Sequence, residues 1–302
     1  MANRHALRGG TRTAGPAVTG YGGLTRLVPP PAVPVDARGD WTAAESASGV
    51  RLPDDYKWLV GTYGWGEFCD FLYLRTPFGT SPHNGIEWQR GHLSGSPGRD
   101  RERYPYPLHP AAGALLLWGA TPDADRLCWL TDGSAEDWTV VVWDRDGRYE
   151  AHPLGAAAFI EGWVGGHVGS GLLGDMEPDL APWFNAFRRR THRCLRLSEG
   201  PLTHPERLRL LRESLAPTSD RGAWRSQTGE QGQDHFATVG TDWLLTYDMS
   251  CPHQVRVDFP PEDAEQVRRR LFAAVELMGC QVLGIMAADG RPLPEWSTVT
   301  DP

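Results

Sequence analysis

The chain has 302 residues, 40% of them hydrophobic and 13 of them tryptophan, with a formal net charge of −8. That length is enough for two domains or for one domain with a large appendage. No run approaches the ~18 apolar residues that a membrane-spanning helix needs, and the negative charge speaks for solubility and against generic nucleic-acid binding.

The five cysteines (Cys69, Cys128, Cys194, Cys251 and Cys280) are odd in number, far apart and never in a Cys-x-x-Cys pair. This argues against a disulfide framework or a zinc ribbon and for reduced thiols in a cytoplasm. Lys57 is the single lysine among the 30 basic residues, an arginine excess that reads as the codon bias of a GC-rich genome. Met1 to Pro30 carries no apolar stretch of the kind a signal peptide needs. Residues 1–35 are rich in Gly, Pro and Thr, and are expected to form a flexible arm, with Leu24, Leu27 and Val28 able to pin its end.

Asp40 is placed to cap a helix that begins at Trp41. Pro53 restricts Leu52 to an extended conformation and suits the first turn of a second helix, with Asp54 and Asp55 near its N-terminal dipole. Tyr56, Leu59, Val60 and Tyr63 form the apolar stripe of that helix, which Gly64 and Gly66 end. Phe71–Leu74 is a short strand candidate. Thr80–Arg103 is a long polar loop containing Trp88, which reads as a hydrophobic pin or a contact residue, and the mixed-charge run Arg99-Asp-Arg-Glu-Arg103; long loops within compact domains are often functional or disordered.

From Tyr106 to Gly166 lies the densest pattern. Gly113–Gly119, Leu127–Leu130 and Trp138–Trp143 are apolar, β-branched and aromatic runs separated by short Asp/Gly/Ser clusters, the pattern of an antiparallel meander. Leu154–Val164 then places Ala157, Ile160 and Val164 at helical spacing, so a helix can lie on one face of that sheet. Trp118, Trp129, Trp138 and Trp143 are assigned to the core.

Several of these features occur together in a recognisable order. Trp41, Glu45, the box Gly49-Val-Arg-Leu-Pro-Asp-Asp-Tyr-Lys57, Tyr63-Gly64 and Tyr106-Pro-Leu108 come first. Leu116-Leu-Trp-Gly119, Leu127-Cys-Trp129, Trp138 and a closing helix with Phe159 follow. This order resembles the SUKH superfamily, the bacterial Smi/Knr-type proteins related to the fungal cell-wall assembly regulator, over roughly residues 24–166. One departure stands in the first meander turn, where this family often carries Gly beside Asp and the chain reads Asp123-Ala124-Asp125. Alanine does not favour the positive φ that glycine takes there.

Five glycines between Gly165 and Gly174 signal a boundary. Asp179–Arg193 reads as a helix with Trp183, Phe184 and Phe187 on one side and Arg188-Arg-Arg190 near its end. Thr203-His-Pro-Glu206 spells a capping box that opens a helix through Leu215. Ser219–Asp234 reads as a linker. Strand candidates follow at Phe236–Val239, Trp243–Tyr247 and Val255–Phe259, then a helix over Pro261–Met278 and a strand over Cys280–Met286, giving a small β-β-β-α-β unit.

No phosphate loop, His-Glu-x-x-His, Gly-x-Ser-x-Gly or dinucleotide fingerprint in a usable context is present. Asp123 and Asp125 have no further ligand cluster beside them, and Cys251-Pro-His253 is a single pair. Neither a cofactor nor a metal is therefore expected, and no catalytic residue is assigned. Seven acidic residues between Thr121 and Asp146 fall in the meander turns, as the loops of an acidic protein ordinarily do, though an inhibitor of a basic, nucleic-acid-degrading toxin would also use such a surface.

The expected fold class is α+β: an antiparallel meander sheet flanked by helices, then a smaller α/β unit. The expected division is a 1–35 arm, a 36–170 SUKH-like domain, a 178–217 helical connector and a 235–291 accessory unit. The resemblance implies a non-catalytic, cytoplasmic binding protein, foremost an immunity protein that neutralises a polymorphic or contact-delivered bacterial toxin. The alternative is a regulatory or scaffold module. The expected partner is a protein, a nuclease-type or other toxin domain, with no membrane and no nucleic acid. The candidate contact residues are Trp65, Trp88, Arg99, Asp123 and Asp125.

Overall fold

The computed structural model describes residues 22–81, 83–85, 105–107, 109–174, 181–249 and 252–296. Its first helices follow from local chemistry. Helix α1 (Gly22–Leu27) and the residue after it seat Leu24 and Val28 fully in the core, and the Tyr63 hydroxyl donates to the Val28 carbonyl at 2.7 Å. The end of the arm is therefore pinned, although Leu27 stays exposed. Helix α2 (Trp41–Ser48) begins where Asp40 accepts the N–H groups of Thr42 and Ala43, and it stops at Gly49 with φ 75°. Helix α3 (Asp54–Tyr63) buries Tyr56, Leu59, Val60 and Tyr63, the stripe its spacing predicts.

Seven antiparallel strands make the first sheet. They are β1 (Gly66–Phe68), β2 (Leu72–Leu74), β3 (Leu115–Ala120), β4 (Arg126–Leu130), β5 (Thr139–Trp143), β6 (Tyr149–His152) and β7 (Phe184–Ala186), in spatial order β6-β5-β4-β3-β2-β1-β7. The three central runs of the meander fall where the sequence places them, and helix α4 (Ala156–Val164) follows. Side chains from α1, α3 and α4 share one core with Phe68, Leu116, Trp118, Leu127, Trp129, Val140 and Val142.

The opposite face carries a smaller cluster of Leu115, Leu117, Cys128 and Val141, with Trp143 and Tyr149 against it. Strand alternation thus corrects the assignment of Trp143 to the main core. Val140 and Val142 point to the helices, so Val141 and Trp143 must point away.

Between Leu117 and Gly119 the register of β3 against β4 slips by one residue. The bulge leaves Trp118 on the core side and brings Gly119 close to β2, where an added Cβ would lie 2.7 Å from the Tyr73 carbonyl oxygen. The Trp-Gly pair is therefore the bulge itself, and glycine is needed for the close approach of the backbone.

The second sheet has six antiparallel strands, β8 (Thr191–Leu197), β9 (Thr218–Arg225), β10 (Gly232–Thr238), β11 (Leu244–Asp248), β12 (Gln254–Phe259) and β13 (Val282–Met286), ordered β13-β8-β12-β11-β10-β9. Helices α5 (His204–Leu215) and α6 (Ala264–Leu277) pack on it around Leu211, Leu215, Phe236, Trp243, Tyr247, Val257, Phe259, Leu271 and Val275. The capping box of Thr203 and Glu206 is formed. In β12 the buried residues are Val255, Val257 and Phe259, a strict period of two.

Two expectations are overturned here. The described part of Asp179–Arg193 is not helical: Phe184–Ala186 is β7, buried throughout, and Thr191 begins β8. Phe184 packs on Tyr63 and Phe68 with ring centroids at 5.1 and 4.8 Å, so pairing with β1 overrides the helix-like spacing of its aromatic residues. Ser219–Asp234 is not a linker but most of β9 and the first part of β10, joined by a turn over residues 226–231. Edge strand β9 is largely solvent-facing, so its polar residues carry no apolar alternation to read.

Candidate functional site

One line of opposed residues crosses the first sheet on the face turned away from α1, α3 and α4. Asn185 faces Glu67, Glu67 faces Tyr73, Tyr73 faces Ala120, Ala120 faces Arg126, Arg126 faces Trp143 and Trp143 faces Tyr149. The Arg126 guanidinium lies 4.4 Å from the Trp143 ring centroid, and Trp143 stacks on Tyr149 at 5.5 Å.

At the β1–β7 end of this face opens a pocket of about 620 Å³. Its walls are Trp65, Tyr73, Arg75, His83, Phe187 and the run Arg188-Arg-Arg190. Phe187 stands edge-on to both other rings, 5.2 Å from Trp65 and 5.4 Å from Tyr73, and its N–H donates to the Trp65 carbonyl at 3.0 Å. These rings are brought together by strand pairing, since Trp65 precedes β1, Phe187 follows β7 and Tyr73 lies on β2.

Arg75 is held from both sides. Its carbonyl accepts the buried Tyr56 hydroxyl at 2.7 Å, and its Nη1 donates to the His83 carbonyl at 2.9 Å. Burial, reinforced by neighbouring Arg126, lowers its pKa to about 10, so it stays charged at neutral pH. Asn84 fixes the His83 segment by accepting the Thr76 N–H at 2.7 Å and donating to Asp36 at 3.0 Å. Arg188 and Arg190 both reach Asp242 of the β10–β11 turn, at 3.8 and 2.7 Å, and Arg188 also pairs with Glu262 at 2.9 Å. Arg189 is exposed and has no ion pair among the described residues.

Beside this pocket, where the two sheets meet, a second cavity of about 400 Å³ is lined by Asp70, Trp183, Asn185, Arg221, His235 and Asp258, among others. Asp70 accepts from the Asn185 amide at 2.5 Å and from the Trp183 indole at 3.1 Å, while the Arg221 guanidinium donates to the Asn185 side-chain oxygen. Burial, then the adjacent Asp70 carboxylate, raises the pKa of Glu67 to about 7.

Of the residues singled out from the sequence, Trp65 forms a wall of the larger pocket. Trp88 and Arg99 lie outside the described residues. Asp123 is exposed in the β3–β4 turn. Asp125 is buried and turned inward, accepting the Thr121 hydroxyl at 2.9 Å. The acidic turn residues divide between the two ends of the strands. Asp144 is occupied within its own turn by Arg148 at 2.6 Å, and Glu136 accepts the N–H of Asp54 at the start of α3.

The sequence marks none of Tyr73, Arg75, His83 and Phe187 as contact residues, and it places Phe187 on a helix. The signal that finds them is the pairing of β1 with both β2 and β7, and one-dimensional spacing does not carry it. Buried thiols are poor nucleophiles here, since burial pushes Cys128 up to about 12 and Cys69 up to about 11. Among the described residues no group of three His, Cys, Asp or Glu side chains is placed to hold a metal ion, and no helix is long and apolar enough to cross a membrane. What the arrangement can do is bind: it offers apolar rings and fixed positive charge in a concave wall.

A search of curated proteins finds no match to the chain. Residues 38–160, the stretch from the approach to α2 into α4, match the SUKH_6 family, described as SMI1-KNR4 cell-wall.

Proposed function

We propose that this chain is a non-catalytic, cytoplasmic protein-binding protein, and specifically an immunity protein that neutralises a polymorphic or contact-delivered bacterial toxin by direct binding. The observation that carries this reading is the SUKH-type match over residues 38–160, because that family includes toxin immunity proteins. The aromatic and arginine composition of the Trp65 pocket supports it, since such residues dominate binding energy at protein interfaces. On this reading residues 36–170 form the SUKH-like binding domain, completed by β7, and the second sheet is an accessory. Toxin inhibition would be steric: the bound chain occludes the toxin's active site.

The alternative is a scaffold that docks one partner on each unit. The independent core of the second sheet favours it, because an accessory with its own core presents a second surface.

The test is co-expression of the full-length chain with the toxin-like domain encoded beside its gene, scored by survival and by recovery of a complex in size-exclusion chromatography. Rescue together with a one-to-one complex is expected. Survival no better than with an empty vector, and no complex, would overturn the immunity reading for that pairing. The full chain is required, because a fragment ending at residue 166 lacks β7 and bares the edge of β1.

A further inference from the structure

We infer that the pocket formed by Trp65, Tyr73, Phe187 and Arg188–Arg190 is a recognition site for an acidic segment of a protein partner: a ring or other apolar side chain seats against the three aromatic walls, and a flanking carboxylate is taken by the arginine run. This deepens the protein-binding reading and rests on it. Three observations converge.

The charged side chains lining the pocket, Arg75, Arg188, Arg189 and Arg190, are all cationic, in a chain whose net charge is −8; the carboxylates nearest them, Asp242 and Glu262 on the arginine run and Glu67 opposite Tyr73, stand outside its lining. Four guanidiniums against the two carboxylates that pair with them leave the local balance positive, which favours an acidic segment. Next, the fold already places a carboxylate in this setting. Asp242 reaches across from the β10–β11 turn and is shared by Arg188 at 3.8 Å and Arg190 at 2.7 Å. Asp242 therefore shows which anion these guanidiniums accept, and Arg189, exposed between them, remains available to a second. Finally, the ring cluster stands beside the arginines in an open pocket of about 620 Å³, room for one large side chain. An isolated phosphate would use the arginines and leave the rings idle; a peptide with an aromatic residue between acids uses both.

The experiment titrates the full-length chain, by calorimetry at low salt, with a blocked pentapeptide Asp-Asp-Phe-Asp-Asp, its amide counterpart Asn-Asn-Phe-Asn-Asn, and inorganic phosphate. The acidic peptide is expected to bind about tenfold or more tightly than the amide form, a factor typical of losing one charge-assisted contact. Arg189→Ala and Trp65→Ala should each weaken it by about tenfold. Asp242→Asn, which removes the internal competitor, should strengthen it by a few-fold. Arg189 is exposed, so its replacement leaves the fold intact, and the Asp242 variant moves the readout in the opposite direction from a folding defect.

Equal affinity for the two peptides, indifference to both Arg189→Ala and Trp65→Ala, or displacement of the peptide by an equimolar amount of phosphate would each overturn the inference. If the peptide fails while a toxin complex still forms, this site assignment falls and the binding function stands. If the peptide binds and no toxin complex forms, the site stands and the immunity reading falls.

Discussion

Asp55 caps a helix that begins a hundred residues further along the chain. Its Oδ2 accepts the Ala157 N–H at 3.0 Å, at the start of α4, whose own N-cap, Gly155, offers no side-chain cap. Gly155 is small for the same reason, as a Cβ there would lie 2.5 Å from that oxygen. The stretch Leu52-Pro-Asp-Asp-Tyr56 is thereby explained. Leu52 fills the core, Pro53 opens α3, Asp55 holds α4 against α3, and Tyr56 ties α3 to β2 through the Arg75 carbonyl. Asp55→Ala should cost about 1–3 kcal/mol, the penalty of losing a buried cap, while Asp55→Asn keeps an acceptor and should cost less than half as much. Urea denaturation of the two variants checks the ranking.

Ala124 takes φ 69°, the left-handed conformation that alanine disfavours. The turn therefore keeps the geometry that glycine would adopt easily, and the chain tolerates the cost. Ala124→Gly should stabilise the protein by about 0.5–1 kcal/mol, since relief of backbone strain outweighs the added freedom of the unfolded chain. An unchanged or lower denaturation midpoint would show the turn to be unstrained.

Gly119 sits at the β3 bulge against the Tyr73 carbonyl. Gly119→Ala should destabilise by about 1–3 kcal/mol through forced separation of β2 from β3. The expected signature is a lower midpoint together with faster amide exchange in Leu72–Leu74.

Glu67 gives the protein a pH dependence of known sign. Its carboxyl is raised in the fold from 4.5 to about 7, by burial first and by Asp70 second. Between those values the folded chain holds a proton that the unfolded chain has released. Stability from this group is therefore full below about 4.5 and falls as pH rises toward 7. His152, His235 and His253, whose pKa values burial lowers, act in the opposite direction below their unfolded value. The comparison that isolates Glu67 is Glu67→Gln against the parent. The variant's gain in Tm should be larger at pH 8 than at pH 5, and an equal gain at both would mean that Glu67 ionises as freely folded as unfolded.

The parts of the fold legible in the sequence are those whose signals are local. The caps of α2 and α5, the stripe of α3, the apolar strands of the meander and the alternation of β12 all announce themselves within a few residues. Strand β7 does not, because three residues with a polar Asn185 in the middle owe their conformation to β1. Nor does β9, whose side chains largely face solvent. The site shares that limit. Trp65 could be marked as an aromatic residue beside glycines, but its companions Tyr73 and Phe187 reach it only through the pairing of β1 with β2 and β7, so nothing in spacing alone joins them.

The last strand of the first sheet and the first strand of the second are separated by residues 187–190 alone. Those four positions are also one wall of the pocket. A ligand lodged there contacts the strap between the two halves of the molecule, and one that binds more tightly when the sheets are mutually restrained would restrain them by the same free energy. For such a ligand, protection of β7 and β8 amides from exchange would report occupancy at a distance from the ligand itself.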